Sequence, residues 1–369
     1  MTDRSAHSRS ATLEDSVVWD GETVRILDRR VFPSRVEWVV AHSPQEVASA
    51  IRDMVTQSSG PLYAACAGMS LAAFQARDED LPVARARLAA AGDALAHARP
   101  TNKHPKDAVE AVLRRTEAAT STPELVELAI DEARRFEADY RDAGLRLGRA
   151  AVGLLPRRAT ILTHCWAEAY LFGVVRAAEE AGTELTWVAT ETRPYLQGAR
   201  LTAHSLRELD NDVTLITDGM AAAALSSPRG AGSGAIDAAL TAADRVAMDG
   251  SVINKVGTLG IAAAAHAFDI PFIGLVEAPD PEAPTGADVV IEDRDPREVL
   301  EVLGNRTASE LVTDAWYPAF DCAPPRLVSW IATSRGAFRP DRMADYFTTD
   351  PEAMAAPPLS PDTVLGADQ

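Results

Sequence analysis

Apolar and polar positions change period several times along the chain, and the clearest change runs through residues 161–200. A short apolar run at 159–163 stops at His164 and Cys165, and residues 167–181 then keep the i, i+3, i+4 spacing of a helix. A second apolar run, 184–190, gives way to the polar turn Glu191-Thr192-Arg193-Pro194 and to another helical pattern through 201–209. Strand, loop, helix repeated in this order implies crossover connections, and these join parallel strands. Ligands of such sheets lie beyond the carboxyl ends of the strands, so the loop at Cys165 and the segment 191–200 are expected to face one pocket.

The alternation continues downstream. Residues 213–217 and 245–248 read as strands closed by Asp218-Gly219 and Asp249-Gly250, 259–268 as a helix, 271–276 as a strand, 289–291 as a short strand and 297–303 as a short helix. SSPRGAGSG at 226–234 reads as a surface loop. Upstream, residues 16–40 alternate around Asp20-Gly21, a hairpin signal. Ser43-Pro44-Gln45-Glu46 has the form of a capping box for a helix over 47–55. Beyond Gly60-Pro61, Ala-rich segments to about residue 98, and then 105–128 and 126–155, read as helices. The expected fold is therefore α/β, with a C-terminal Rossmann-like parallel-sheet domain preceded by a smaller N-terminal domain of a β-hairpin and helices. Expected boundaries are a disordered N-terminus over 1–14, the N-terminal domain over 15–155, the Rossmann-like domain over 156–347 and a disordered, Pro-rich tail over 348–369. Pro156-Arg157-Arg158 marks the expected junction.

Composition narrows the partner class. A chain of 369 residues with 47% hydrophobic positions can bury a full core in two domains. A net charge of −18 argues against nucleic acid or an anionic membrane as partner. A small anion stays compatible, because a few local Arg and Lys outweigh the global sign. Cys66, Cys165 and Cys322 have no paired spacing, and no apolar run is long enough to span a bilayer, so a reducing cytoplasm is expected. No Gly-x-Gly-x-x-Gly follows a strand, and neither a P-loop nor zinc-ligand spacing occurs, so chemistry without a cofactor or metal is expected.

Four places carry candidate chemistry. Cys165 stands at a strand end ahead of a helix N-terminus, where the helix dipole lowers a thiol pKa; the plainer alternative is a buried structural thiol. His164 either orients that thiolate or hydrogen-bonds the backbone. Asp244 precedes an apolar run and is either salt-bridged, to Arg245 for instance, or a functional acid with a raised pKa. Asn254-Lys255 precedes Gly257 and a helix, a place where an ammonium and free N–H groups hold phosphate, and Arg193, Gln197 and Arg200 offer further donors.

Several strings together are more specific than any of these alone. Thr163-His164-Cys165, ETRPYLQGARLTA at 191–203, Thr217-Asp218-Gly219-Met220, and ADR, DG and NKVGT within 243–258 resemble the methylthioribose-1-phosphate isomerase family. That family is allied to ribose-1,5-bisphosphate isomerases and to regulatory subunits of translation initiation factor 2B. The likeness extends to the hairpin at 19–40, to Ala50-Ile51-Arg52-Asp53-Met54, to Tyr317-Pro318-Ala319-Phe320-Asp321 and to Gly336-Ala337-Phe338-Arg339-Pro340. The resemblance implies that Cys165 is the catalytic cysteine and Asp244 the catalytic aspartate, with Arg99, Gln197, Asn254 and Lys255 contacting substrate or phosphate. The family's Arg-Gly-Ala-Pro phosphate loop falls at Gln57-Ser58-Ser59-Gly60, which makes Gln57, Ser58 and Ser59 substrate-binding candidates although the loop Arg is missing. The residue after the cysteine, usually Asn, is Trp166. The implied activity is aldose–ketose isomerisation of a ribose 1-phosphate modified at its 5-position, in a homodimer whose small-molecule partner is a sugar phosphate. The second reading is a non-catalytic regulatory or ligand-sensing protein, against which the presence of both Cys165 and Asp244 argues.

Overall fold

Asp20 builds the first turn of the chain. Its carboxylate accepts from the Glu22 and Thr23 N–H groups and from the Thr23 hydroxyl, while Gly21 takes a φ of +104°. The turn joins β1 (Val17–Trp19) to β2 (Val24–Leu27), and β3 (Trp38–Ala41) completes a three-stranded antiparallel sheet. This computed structural model describes residues 11–99 and 103–348. They fall into two units, Met1–Asp142 and Ala143–Gln369.

In the first unit α1 (Pro44–Arg52) is capped by Ser43, whose Oγ accepts from the Glu46 N–H, while Glu46 accepts from the His42 N–H, one residue before the cap, so the expected capping box is half formed. Next come α2 (Gly60–Gln75), α3 (Leu81–Ala96), α4 (His104–Thr116) and α5 (Thr122–Val152). The helix α2 is apolar on every side and almost wholly buried, which makes it the centre of this unit. The helical pattern expected over 105–128 is broken after α4. Glu124 accepts from the Thr120 N–H and hydroxyl, and Ser121 Oγ accepts from the Glu124 N–H, so residues 120–124 start a separate helix. The two units part inside α5, while Pro156 lies between α5 and the next strand. Residues 11–14, expected to be loose, are packed: Ala11 and Leu13 are buried, and the Glu14 carboxylate accepts from the Ala11 N–H. The rest of the two disorder expectations, 1–10 and 349–369, lies outside the described residues.

The second unit has the expected α/β architecture. It opens with β4 (Arg158–Thr163), α6 (Ala169–Ala181) and β5 (Glu184–Thr190). A π-turn at Gly198–Thr202 leads into α7 (Ala203–Glu208), followed by β6 (Asp212–Ile216) and α8 (Ala221–Ser226). Then come β7 (Ala238–Ala242), β8 (Arg245–Val246), β9 (Val252–Lys255), α9 (Thr258–Ala267) and β10 (Phe272–Leu275). The unit ends with α10 (Arg297–Leu300), β11 (Glu301–Val302), β12 (Asn305–Arg306), β13 (Phe320–Ala323), β14 (Trp330–Thr333) and β15 (Gly336–Phe338). Seven strands form the main sheet in the order β15-β14-β10-β7-β4-β5-β6, parallel except for β15. The chain winds outward from β4 through β5 to β6, then returns to the other side at β7. The strand order therefore reverses between β4 and β7, and a crevice opens at their carboxyl ends.

Two expected strands differ. Residues 245–248 do not enter the parallel sheet; β8 is a two-residue strand of a small antiparallel sheet, β13-β9-β8, and the parallel strand at this place is β7, just upstream. Residues 289–291 form no strand, and Val290 is 91% exposed, with no sheet neighbour to bury it.

Candidate active site

His164 and Cys165 follow the last residue of β4. His164 is buried, with Nδ1 2.6 Å from Thr190 Oγ1 and Nε2 3.0 Å from the Val256 carbonyl oxygen. A carbonyl only accepts, so Nε2 carries the proton and Nδ1 accepts from the Thr190 hydroxyl. Burial lowers the His164 pKa, and the nearby Asp218 carboxylate opposes this only in part, so the ring is neutral. His164 thus bonds β5 and the loop after Lys255 and leaves the thiol alone.

Cys165 adopts a left-handed backbone, φ 66°. Its N–H donates to Thr192 Oγ1 at 2.9 Å, and its carbonyl accepts from the Thr202 hydroxyl. Thr192 is held in turn, because the Thr192 and Arg193 N–H groups donate to the two oxygens of Asp218 at 2.8 and 2.7 Å. The expected thiolate is not there. Burial pushes the Cys165 thiol up to about 12, and Lys255 lowers it only partly while Asp244 and Asp218 raise it further. The helix dipole does not help, since α6 starts only at Ala169.

Asp244 follows the end of β7, the neighbour of β4, and lies within electrostatic reach of the Cys165 sulfur together with Lys255. Its N–H donates to the Ile253 carbonyl, which fastens it beside Asn254 and Lys255 of β9. It is exposed, because it stands past a strand end and not inside a strand. Arg245, beside it, pairs with Asp280 at 3.5 Å. Asn254 and Lys255 are buried, Asn254 donating to Thr258 Oγ1. The Lys255 ammonium stands 5.7 Å from the Tyr317 ring centre and 5.2 Å from that of Phe320. Asp321 caps α9 by accepting from the Gly257 and Leu259 N–H groups, and a Cβ on Gly257 would lie 2.9 Å from the His164 ring. Gln197 is buried, and its Oε1 has no hydrogen-bond partner.

Sequence reasoning singled out Thr217–Met220 as a string but gave no role to Asp218, which holds the Thr192 turn. It also assigned nothing to Glu298 or to Tyr317. Tyr317 lay in the string Tyr317-Pro318-Ala319-Phe320-Asp321 and Glu298 in the expected helix over 297–303, and the fold brings Tyr317 back within electrostatic reach of both Glu298 and Cys165.

The Initiation factor 2 subunit family model matches residues 61–340. A methylthioribose-1-phosphate isomerase of Anaeromyxobacter sp. (strain K) is 39% identical over 338 residues, covering 89% of this chain and 94% of that protein. The chain belongs to the Initiation factor 2 subunit family and, within it, groups with the methylthioribose-1-phosphate isomerases. It is an isomerase, of the intramolecular oxidoreductase type that the resemblance implied. Among solved structures, 5-methylthioribose 1-phosphate isomerase from Pyrococcus horikoshii OT3 superposes with a TM-score of 0.82 at 28% identity, covering 94% of this chain and all of that one. The translation initiation factor eIF-2B subunit delta from A. fulgidus does so with 0.79 at 30% identity, covering 89% and 97%.

The remaining positions implied for this family lie in the first unit. Gln57, Ser58 and Ser59 form the turn into α2, with Ser58 at φ 56° and Ser59 Oγ 3.3 Å from the Tyr140 hydroxyl. No Arg stands in the turn, but a fully buried one supports it: Arg29, from the end of β2, donates to the Gln57 carbonyl at 2.6 Å. A Cβ on Gly60 would meet Arg29 Nη2 at 2.8 Å, so a bare glycine is needed where the guanidinium passes. Arg99 is half-buried just beyond α3. In the second unit Trp166, in place of the family's usual Asn, is buried with its ring edge-on to Phe172 and its Nε1 without a partner. Among the described residues no helix is long and apolar enough to cross a membrane.

Proposed function

We propose that this isomerase converts a 5-substituted ribose 1-phosphate, 5-methylthioribose 1-phosphate foremost, into the corresponding ribulose 1-phosphate. The observation that carries the reading is the meeting of Cys165 and Asp244 at neighbouring strand ends, where the strand order reverses, with Lys255 in electrostatic reach of the Cys165 sulfur. Lys255 supplies the charge for the phosphate. A non-catalytic binding protein has no use for an acid and a thiol at that place.

The chemistry must open a ring whose C1 is locked as a glycosyl phosphate. Asp244 gives a proton to the ring oxygen as the C1–O4 bond breaks, and C1 becomes electron-poor. A hydride then moves from C2 to C1, and the 2-hydroxyl returns its proton to Asp244 as C2 becomes a ketone. Atoms and charge balance, and Asp244 ends protonated as it began. The raised thiol pKa favours this route over an enediol, because a protonated thiol is a poor base; Cys165 then packs against the migrating hydrogen as a neutral, polarisable wall. Since Asp244 is exposed, the dry surroundings that keep a carboxyl protonated come with the bound sugar.

Proton NMR of the purified protein with 5-methylthioribose 1-phosphate, ribose 1-phosphate and ribose 1,5-bisphosphate in deuterated water tests both claims. Turnover of a ribose 1-phosphate with no deuterium at C1 is expected; no turnover of any of the three removes the reading, and deuterium at C1 replaces the hydride route with the enediol. Asp244→Asn is expected to lower kcat by about a hundredfold or more, the scale for losing a positioned acid, and Cys165→Ser, which replaces the polarisable sulfur with a small polar hydroxyl, to lower kcat less, each with unchanged unfolding transitions.

A further inference from the structure

Tyr317 is 3% exposed, and its hydroxyl has no hydrogen-bond partner. Such an atom normally costs free energy, so it calls for an explanation. Its backbone is held firmly: the Tyr317 carbonyl accepts from the Arg294 N–H, and two residues on, the Ala319 carbonyl accepts from the N–H of Val256, the residue after Lys255. The ring consequently lies under the Lys255 ammonium.

A second orphan stands near it. Glu298 Oε1 accepts from the Tyr195 hydroxyl at 3.2 Å, whereas Glu298 Oε2 is buried with no partner. The segment that carries Glu298 is fastened to the turn after β5, because Arg193 donates to the Val299 and Glu301 carbonyls at 3.1 Å. Glu298, Tyr195 and Cys165 all act electrostatically on the Tyr317 hydroxyl, so these groups share one neighbourhood. One atom there can both donate and accept, and the other lies on a carboxyl group; the Lys255 ammonium, the cation expected to hold the phosphate, stands 5.7 Å from the Tyr317 ring centre and acts electrostatically on Glu298.

A sugar hydroxyl matches that pair: it donates to a carboxyl oxygen and accepts from a phenol. In a 5-substituted ribose 1-phosphate the free ring hydroxyls are at C2 and C3, and the one at C2 is consumed by the reaction. We propose that Tyr317 and Glu298 form a hydroxyl-binding subsite beside Lys255 that holds the 3-hydroxyl of the sugar. The subsite rests on the isomerase reading and adds to it a specificity contact.

Tyr317→Phe removes one oxygen and no packing. The test compares the wild type and Tyr317→Phe in KM and kcat with 5-methylthioribose 1-phosphate, and in the affinity of both proteins for its 3-deoxy analogue, with thermal unfolding alongside. The expected result is a KM raised about three- to tenfold for the full sugar with kcat little changed, and equal affinity of both proteins for the 3-deoxy compound. Thermal stability should be equal or higher, because an unpartnered buried hydroxyl is being removed. Glu298→Gln should reproduce the pattern, with its loss confined to the 3-hydroxy sugar. A loss of equal size on both sugars, no loss on either, or a lowered unfolding temperature would assign Tyr317 to the scaffold and overturn the subsite. If the wild type turns over no sugar phosphate, the isomerase reading itself fails; if it turns over normally and the two sugars are not distinguished, the subsite alone fails.

Discussion

A thiol that keeps its proton and a histidine that has lost one stand side by side after β4, and burial accounts for both. The histidine makes stability depend on pH. Its folded pKa is depressed, so below about pH 6.5 the unfolded chain takes up a proton that the folded protein declines. The stability that His164 contributes is therefore complete above that pH and is lost as the pH falls through the ordinary histidine value. Urea midpoints measured from pH 7.5 down to 5 should drop, and His164→Gln, which keeps an N–H for the Val256 carbonyl but cannot titrate, should flatten the slope. A slope unchanged by the substitution would show that the histidine is not held neutral. Lys255 is the charge in closest dialogue with the thiol. Lys255→Ala is expected to raise KM about tenfold or more, the scale of one lost charge-assisted contact, and steady-state kinetics would reveal an unchanged KM if the phosphate is held elsewhere. That Cys165, Asp244 and Lys255 come within electrostatic reach of one another was foreshadowed here by strings such as Thr163-His164-Cys165; their ionisation was not. Cys165 looked activated because a helix follows it in sequence, but the helix begins too late, and depth decides the pKa. Asp244 looked buried because an apolar run follows it, but that run leaves the parallel sheet.

Elements were legible where their period was clean. The repeats after β4, the hairpin at Asp20 and the cap at Ser43 all read directly from sequence. The strand β7, Ala-Ala-Leu-Thr-Ala, did not, because alanine favours a helix and only its place between β4 and β10, buried on both faces, makes it a strand. One contact between elements is closed by glycines. α5 and α6 approach so closely that a Cβ on Gly173 would lie 2.1 Å from the Gly144 carbonyl oxygen, and one on Gly148 would lie 2.1 Å from that of Gly173. Both obstacles are backbone, so neither helix can yield by turning a side chain. Gly173→Ala should destabilise the protein by about 1–3 kcal/mol in urea unfolding, the usual cost of overpacking, while a neutral result would mean that α6 can move away freely.

At the scale of the whole molecule the net charge of −18 and the cationic site are compatible, because Lys255 acts over a few ångströms within low-dielectric surroundings and the surface acids are screened by solvent. The order of the main sheet has one more consequence, and it concerns time. Cys165 follows β4 and Asp244 follows β7, yet between them in sequence the chain lays down β5 and β6 on the opposite side. Joining β7 to β4 closes a long loop, and parallel pairings of that kind form slowly. Helices and hydrophobic clusters can be in place while the reaction centre does not yet exist in any form. On dilution from denaturant, turnover should accordingly return later than the far-ultraviolet circular dichroism signal of the helices, and simultaneous recovery would place β7 on β4 early. The reversal of strand order that creates the crevice thus brings Cys165 beside Asp244 only once β7 has joined β4.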